Sequence, residues 1–511
     1  MAFQSILWGK AGDGIQKETL EAPACFVDLN LDQIVKAVTA DRQAYRLQPF
    51  YYTYLQDIAL ITYRQEIARD LEDERLLKQI RSFSQKMIQM RRYLSLVEQL
   101  DFHYHKAGWF LESVAVYCQA VGCLAAELSR AEVKARGLID FKEYLSAYTA
   151  SERFQGLQKE TEEMKAALAT VTYCILIKGD VVKVRRYESE ADYSKEVEVI
   201  FEKFKQGAVK DYIPHLPGAG GMNHVEANIL KFVAKLYPEI FSGLDRYYEN
   251  NRSFWDDKII LFDREIQFYV AYLEYIEKFK RAGLKFCYPE ISSKEKEVYV
   301  REGFHLALAD KCLREKTPIV CNDFYLKGKE RILVVTGPNQ GGKTTFARTF
   351  GQLHYWACLG LPVPGKAARL FLYDRIFTHF EKEESIIDLR GKLEDDLIRI
   401  RDILRQATPR SLLILNEIFT STTLKDAVYL SKKIMERIVA LDALCVWVTF
   451  IDELASFSEK TVSMVSTVDP DNPAWRTFRI ERRPADGLAY ALSIAEKHRL
   501  TYPQLLERIP S

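Results

Sequence analysis

Ile332-Leu-Val-Val-Thr336-Gly337-Pro338-Asn339-Gln340-Gly341-Gly342-Lys343-Thr344-Thr345 reads as an apolar strand running into a complete G-x-x-x-x-G-K-[ST] phosphate loop. Phosphate binding demands these residue types. The glycines let backbone N–H groups close around the anion, Lys343 reaches the β and γ oxygens, and Thr344 offers its hydroxyl to Mg²⁺. A helix predicted over 344–357 turns its positive end on the same group. Gly337, Pro338, Asn339, Gln340, Gly341, Gly342, Lys343, Thr344 and Thr345 are therefore the candidate nucleotide contacts, with ATP and Mg²⁺ as the expected ligands.

Outward from the loop, residues 300–511 alternate strands (332–336, 411–416, 443–450) with helices (344–357, 391–406, 424–440). That is the pattern of a mainly parallel sheet with helices on both faces. The strand Ser411-Leu-Leu-Ile-Leu415 ends in Asn416-Glu417, where a phosphate-loop ATPase places acids beside the γ-phosphate. Glu417 is the candidate base that orients and deprotonates water, and with Lys343 it forms the candidate catalytic pair. Asn416 stands where Asp is expected. It can accept a hydrogen bond from metal-bound water but adds no charge, so Thr344 and Asn416 are the candidate metal site, and slower hydrolysis or weaker metal binding is expected.

Before residue 300 the pattern is mainly helical. From 245 to 281, Trp255, Ile259, Phe262, Ile266, Tyr269, Leu273 and Ile276 alternate four and three apart, predicting one long helix of about 55 Å. Arg81 to Leu100 predicts another. Two β-rich runs within 171–187 flank Gly179-Asp180 and predict a hairpin. Its Lys183, Arg185 and Arg186 are expected to form a solvated strand face. Helices over 152–168 and 195–205 flank it, and Pro214-His-Leu-Pro217-Gly218-Ala-Gly220-Gly221 is a loop.

With 511 residues, 48% apolar and 12% aromatic, the chain is long and apolar enough for two or more packed domains. Its 72 basic and 71 acidic residues give a net charge of +1 and no global electrostatic case for nucleic acid or anionic membrane. The 9 cysteines are scattered without a C-x-x-C pair, which fits reduced thiols and a cytoplasmic location and supplies no zinc framework. No signal peptide is evident, and the apolar stretch Ile438–Ile451 is too short to span a bilayer, so no membrane partner is expected.

The loop Thr336-Gly-Pro-Asn-Gln-Gly-Gly-Lys-Thr344 resembles the TGPN-x-GGK-[ST] loop of the MutS family of DNA mismatch-repair ATPases. Val320-Cys-Asn322-Asp323 resembles that family's VPND element, Asp374-Arg-Ile-Phe-Thr378 its DRIFT element, and Asn416-Glu-Ile418 through Thr422 and Asp426 its DEIGRGTS segment. Tyr54-Leu-Gln-Asp57 and Tyr63-Arg-Gln-Glu66 resemble the core pattern PL-x-D followed by RQ. The resemblance implies a multidomain fold: a mainly helical core/lever region with a small clamp-like insert containing a β-hairpin, then an α/β P-loop ATPase domain of the ABC type. The implied domains are 1–150 (first core/lever part), 151–215 (clamp-like insert), 216–299 (second lever part) and 300–511 (ATPase). Mismatch-reading and connector domains are expected to be missing.

The implied function is a DNA-binding ATPase of mismatch repair, or of branched or deformed DNA, that couples ATP binding and hydrolysis to clamping of double-stranded DNA. The implied partner is a second copy through the ATPase domains. The alternatives are an ATP-gated, catalytically weak clamp or scaffold, and an ATPase acting on a protein partner. By the same resemblance, the serine presented across the dimer falls at Gly391, where Lys392 could replace it electrostatically. The adenine-stacking aromatic falls at Ile319, and the switch histidine at Phe450. His379 is read as a partly exposed polar side chain.

Overall fold

A computed structural model describes residues 3–9, 18–179, 181–188, 222–381, 391–469, 475–485, 500–502 and 505. The expected helix over 195–205, the loop at 214–221 and Asp180 of the hairpin turn lie outside the described residues. The chain forms two compact units. One comprises Met1–Phe3, Asp73–Val133 and Leu138–Asp263; the other comprises Gln4–Glu72, Lys134–Gly137 and Arg264–Ser511.

In the first unit, helices Glu74–Gln99 and His103–Arg130 pack along one another as a helical hairpin. Asp73 caps the first by accepting from the amides of Arg75 and Leu76. Helix His103–Arg130 is long and apolar enough by length and composition to cross a membrane, a candidate the sequence reading passed over. However, 56% of its most apolar window is buried inside the fold, as in a core helix. Phe141 and Phe262 stack with ring centroids 3.5 Å apart, and Phe3 meets Phe141 edge-on.

The single helix expected over 245–281 is two helices, Pro238–Asn250 and Asp257–Arg281. Of the heptad stripe, Ile259 to Ile276 lie on the second helix, whereas Trp255 falls in the non-helical connection. Local hydrogen bonds interrupt the backbone there. Asp256 accepts from the amides of Lys258 and Ile259 and from the Tyr144 hydroxyl, while Arg153 donates to the carbonyls of Ser253 and Trp255.

Strands β1 (Tyr173–Lys178) and β2 (Val181–Arg186) form an antiparallel hairpin, with Lys178 opposite Val181 and Gly179 at φ +59°. The expected basic trio does not share one face. Lys183 and Arg185 alternate with Arg186, whose Nε donates to the Leu236 carbonyl and whose guanidinium covers the Tyr237 ring.

The second unit contains β3 (Phe286–Cys287), β4 (Glu290–Ser292), β5 (Val298–Gly303), β6 (Asn322–Leu326), β7 (Ile332–Thr336), β8 (Val363–Pro364), β9 (Ala367–Phe371), β10 (Ile376–His379), β11 (Leu412–Asn416), β12 (Leu444–Val448), β13 (Thr461–Val468) and β14 (Arg476–Arg482). Six strands form its main sheet in the order β10-β11-β12-β7-β13-β14, parallel except for β14 at one edge. The fully buried runs Ile332–Thr336, Leu412–Asn416 and Leu444–Val448 are its centre, as continuous apolar strands of a two-sided sheet should be. Ile332, Val334, Leu413, Leu415 and Trp447 share a core with Ile400 of helix Lys392–Gln406 and with Met435 and Ile438 of helix Leu424–Leu441.

Helix Lys343–Cys358 contacts β11 and β12 and is buried almost all round. Residues far upstream cover its other sides. Gln352 donates to the Leu29 carbonyl, Arg348 to that of Asp28, and the Tyr355 hydroxyl to that of Tyr51. The early motif residues are also structural ties: Asp57 caps helix Ile58–Asp70, and buried Arg64 donates to the carbonyls of Leu7 and Leu359. Gln65 donates to the Pro289 carbonyl, and Tyr54 and Gln56 to that of Asp374.

Candidate functional site

The phosphate loop leaves the C-terminal end of β7, where β12 and β13 flank it on either side. Its backbone conformation needs glycine: Gly337 has φ +110°, and an added Cβ would lie 2.8 Å from the Ser466 carbonyl oxygen. At Gly341 a Cβ would meet Ser466 Oγ at 2.2 Å. That hydroxyl donates to the Gly341 carbonyl at 2.7 Å, so β13 presses directly on the loop. Gly342 then caps helix Lys343–Cys358 at φ 92°. Its first-turn amides supply the orphan donors and positive end that favour an anion.

Lys343 is buried. Its Nζ donates to the carbonyls of Gly337 (2.9 Å) and Pro338 (3.2 Å) and to Asn339 Oδ1 (3.2 Å), and lies 3.6 Å from Glu417 Oε1. Burial pushes its ammonium below the usual lysine range, Glu417 opposes that shift, and Arg476 adds to it. Thr344 Oγ1 donates to Asn416 Oδ1 at 2.8 Å, although β12 lies between β7, which leads into the loop and helix of Thr344, and β11, which ends at Asn416. Glu417 follows with φ +50°, its amide held by the Val448 carbonyl at 2.9 Å. Strained backbone at such a position marks an enforced side-chain direction. Lys343, Thr344, Asn416 and Glu417 are thus brought together.

A cavity of about 670 Å³ adjoins the loop. Its lining joins Gln340, Gly341, Gly342, Lys343, Thr344, Thr345 and Glu417 to the apolar Leu308, Ala309, Cys312, Ile319 and Phe346. That volume and mixture suit a small organic anion. The glycine cradle and Lys343 fit a polyphosphate, and the paired oxygens of Thr344 and Asn416 fit a hard divalent cation. Among the described residues, no group of three or more His, Cys, Asp or Glu side chains is arranged to hold a metal ion alone.

Gly391, Lys392 and Phe450 do not line the cavity, and neither do Gly337, Pro338, Asn339 and Asn416. Gly391 caps helix Lys392–Gln406 with open space around it, and Lys392 pairs with Glu381. Phe450 follows β12 and is half exposed. His379 is buried, correcting the expected exposure: helix Lys392–Gln406 covers the end of β10, with Nε2 3.2 Å from Asp396 Oδ1. Burial would raise the Asp396 carboxyl, but His379, the Phe419 amide and Arg399 hold it below its ordinary range.

Sequence reasoning missed Ser466 and the pair His305–Gln352. His305 lines the cavity, caps helix Leu306–Glu315 through Nδ1, and places Nε2 3.1 Å from Gln352; burial pushes its ring down to about 3. Asn322, part of a recognised motif, has a role visible only in three dimensions. It donates to the Phe478 carbonyl and accepts from the Ile480 amide, tying β6 to β14.

A family model described as MutS domain V matches residues 333–497. The DNA mismatch repair protein MutS of Chlorobium phaeovibrioides is 25% identical over 417 residues, 77% of this chain and 46% of that protein. MutS of Desulfovibrio desulfuricans is 32% identical over 169 residues, covering 33% of this chain and 18% of that protein. The DNA mismatch repair protein msh3 of Aspergillus terreus is 32% identical over 161 residues, covering 31% and 14% respectively. The chain therefore spans less than half the length of these curated relatives.

Proposed function

This chain belongs to the MutS family, and on that premise we propose that it is a DNA-binding ATPase that couples the nucleotide state of its phosphate loop to clamping of double-stranded DNA. The observation that carries the reading is the convergence of Lys343 and Thr344, at the head of one helix, on Asn416 and Glu417 at the end of β11. In this reading the amides of the glycine loop hold the phosphates and Lys343 leaves the loop carbonyls for the β and γ oxygens. Glu417 accepts the proton of the attacking water. Thr344 and Asn416 would hold Mg²⁺, which neutralises phosphate charge when bound. Ile319 offers an apolar wall to the base.

DNA as partner rests on the relatives, whose names record DNA mismatch repair. The proposed architecture keeps a helical core/lever with a clamp-like hairpin insert ahead of an ABC-type ATPase domain. A homodimer formed through that domain would bring Gly391 and Lys392 of one copy to the nucleotide of the other, in the cytoplasm.

A second reading is favoured by Asn416: its neutral amide, bonded to Thr344, leaves the metal position without the charge of an acid. The protein would then be an ATP-gated clamp that hydrolyses slowly. Single-turnover hydrolysis by the native protein, Glu417→Gln and Asn416→Asp separates the two. The ATPase reading expects Glu417→Gln to lose at least about a hundredfold. Equal, near-background rates for native and Glu417→Gln refute it. Binding to duplex, mismatched and branched DNA across a salt series, with and without ATP, tests the clamp; affinity independent of salt excludes phosphate contacts.

A further inference from the structure

The antiparallel pair β13–β14 carries an irregularity that faces the loop. Ser466 pairs with Ile480 and Val468 with Arg476, so the register shifts between them and β14 carries the excess residues. Within the excess, Phe478 takes φ +58°, an unfavourable backbone for a bulky side chain, and lines the cavity next to Gly342. Asn322 fixes this conformation from both sides, as described above, and Thr477 donates to the Thr467 carbonyl. The bulge delivers two contacts to the phosphate loop: Ser466 Oγ to the Gly341 carbonyl, and Arg476 Nε to the Asn339 carbonyl at 3.2 Å.

The second contact begins a chain of donors. Arg476 holds the main chain of Asn339, and Asn339 Oδ1 in turn receives Lys343 Nζ, which stands beside Glu417. We propose that Arg476 is a positioning residue for the phosphate loop that favours a nucleoside triphosphate over a diphosphate. In a loop of this kind the backbone amides cradle the α- and β-phosphates, whereas the lysine, Lys343 here, reaches the β and γ oxygens. Fixing Asn339 therefore organises the part of the loop that meets the γ-phosphate. Ser466 acts on the part both nucleotides share.

The inference rests on the loop being an ATP site. Its test is calorimetric titration of the full chain with ADP and with non-hydrolysed β,γ-imido ATP, each with Mg²⁺, alongside thermal unfolding. Arg476→Ala is expected to weaken the triphosphate about tenfold and ADP less than threefold. In Arg476→Gln the amide nitrogen occupies the chain position of Nε, restoring the N–H to Asn339 without the charge. It is expected to recover native selectivity within about twofold and covers the case in which the alanine variant fails to fold. Ser466→Ala is expected to weaken both nucleotides equally. Equal losses for the two nucleotides in Arg476→Ala, or unrestored selectivity in Arg476→Gln, overturn the proposal. A native protein that binds neither nucleotide overturns both it and the ATP reading, whereas binding by the native protein with unchanged selectivity in Arg476→Ala overturns this proposal alone.

Discussion

Gly337→Ala should be among the most damaging single-methyl additions to this fold. Its φ of +110° disfavours any side chain, and the new Cβ would lie 2.8 Å from the carbonyl oxygen and 3.0 Å from the amide nitrogen of Ser466. Both atoms belong to the backbone of β13, which is hydrogen-bonded to β7, so no rotamer change relieves the overlap. Backbone strain of ~1–3 kcal/mol and overpacking of ~1–3 kcal/mol together predict a loss of about 4 kcal/mol. Gly341→Ala meets mainly a side-chain oxygen, Ser466 Oγ at 2.2 Å, and Ser466→Ala should recover part of its cost. The same second change should recover none of the Gly337→Ala cost. Gly391→Ala, with open space around it and φ −67°, should cost less than about 1 kcal/mol, because the stiffer unfolded chain offsets the poorer N-cap. Urea unfolding of the four single variants and two doubles measures each term. Equal relief of both glycine variants by Ser466→Ala would refute the reasoning, because it would mean that the obstacle at Gly337 is not backbone.

Glu265 is buried, accepting from Ser5 Oγ and the Ile6 amide, and burial raises its carboxyl from 4.5 to about 7. The folded state then binds the proton more tightly than the unfolded state. Glu265 should therefore cost stability progressively as pH rises from about 4.5 to about 7, by about 3 kcal/mol in all, and Glu265→Gln should flatten the unfolding free energy across that window. Asp442 accepts from Lys296, Arg331 and Lys460, and although burial opposes it, these cations hold its carboxyl far below the usual 3.8. Allowing for solvent screening, Asp442→Asn should cost roughly 2 kcal/mol at neutral pH and progressively less as pH falls below 3.8, measured by denaturant unfolding at both extremes. Phe262→Ala removes a stacked, fully buried ring and should destabilise the fold by roughly 3–5 kcal/mol in the same measurement; a loss below about 1 kcal/mol would contradict the packing described.

The centre of the main sheet was legible because its strands are continuous apolar runs whose burial on both faces leaves no competing period. Asn416 and Glu417 were legible for the same reason, as polar residues ending such a run. The break at 251–256 was hidden because heptad spacing reports which side is apolar, whereas Asp256 and Arg153 decide where the backbone is interrupted. Strand alternation sets Arg186 opposite Lys183 and Arg185, but what that face meets, the Leu236 carbonyl and the Tyr237 ring, comes from a segment about 50 residues on and left no local pattern. His379 looked exposed because its cover, Asp396, comes from the next helix. The supports of the phosphate loop were least legible: Ser466 lies 125 residues from Gly341 and Arg476 137 from Asn339, and neither belongs to a local pattern.

The helix behind the phosphate loop is enclosed by carbonyls from the start of the chain, and this sets a schedule for synthesis. Leu29 waits for Gln352 across 323 residues, an interval of about 20–60 s at ordinary rates of translation. During it the carbonyls of Asp28, Leu29 and Tyr51 have only water in place of Arg348, Gln352 and Tyr355, while most of the first unit is made in between. The loop can receive both its supports only after the ribosome has passed residue 476, when early and late parts of the second unit meet.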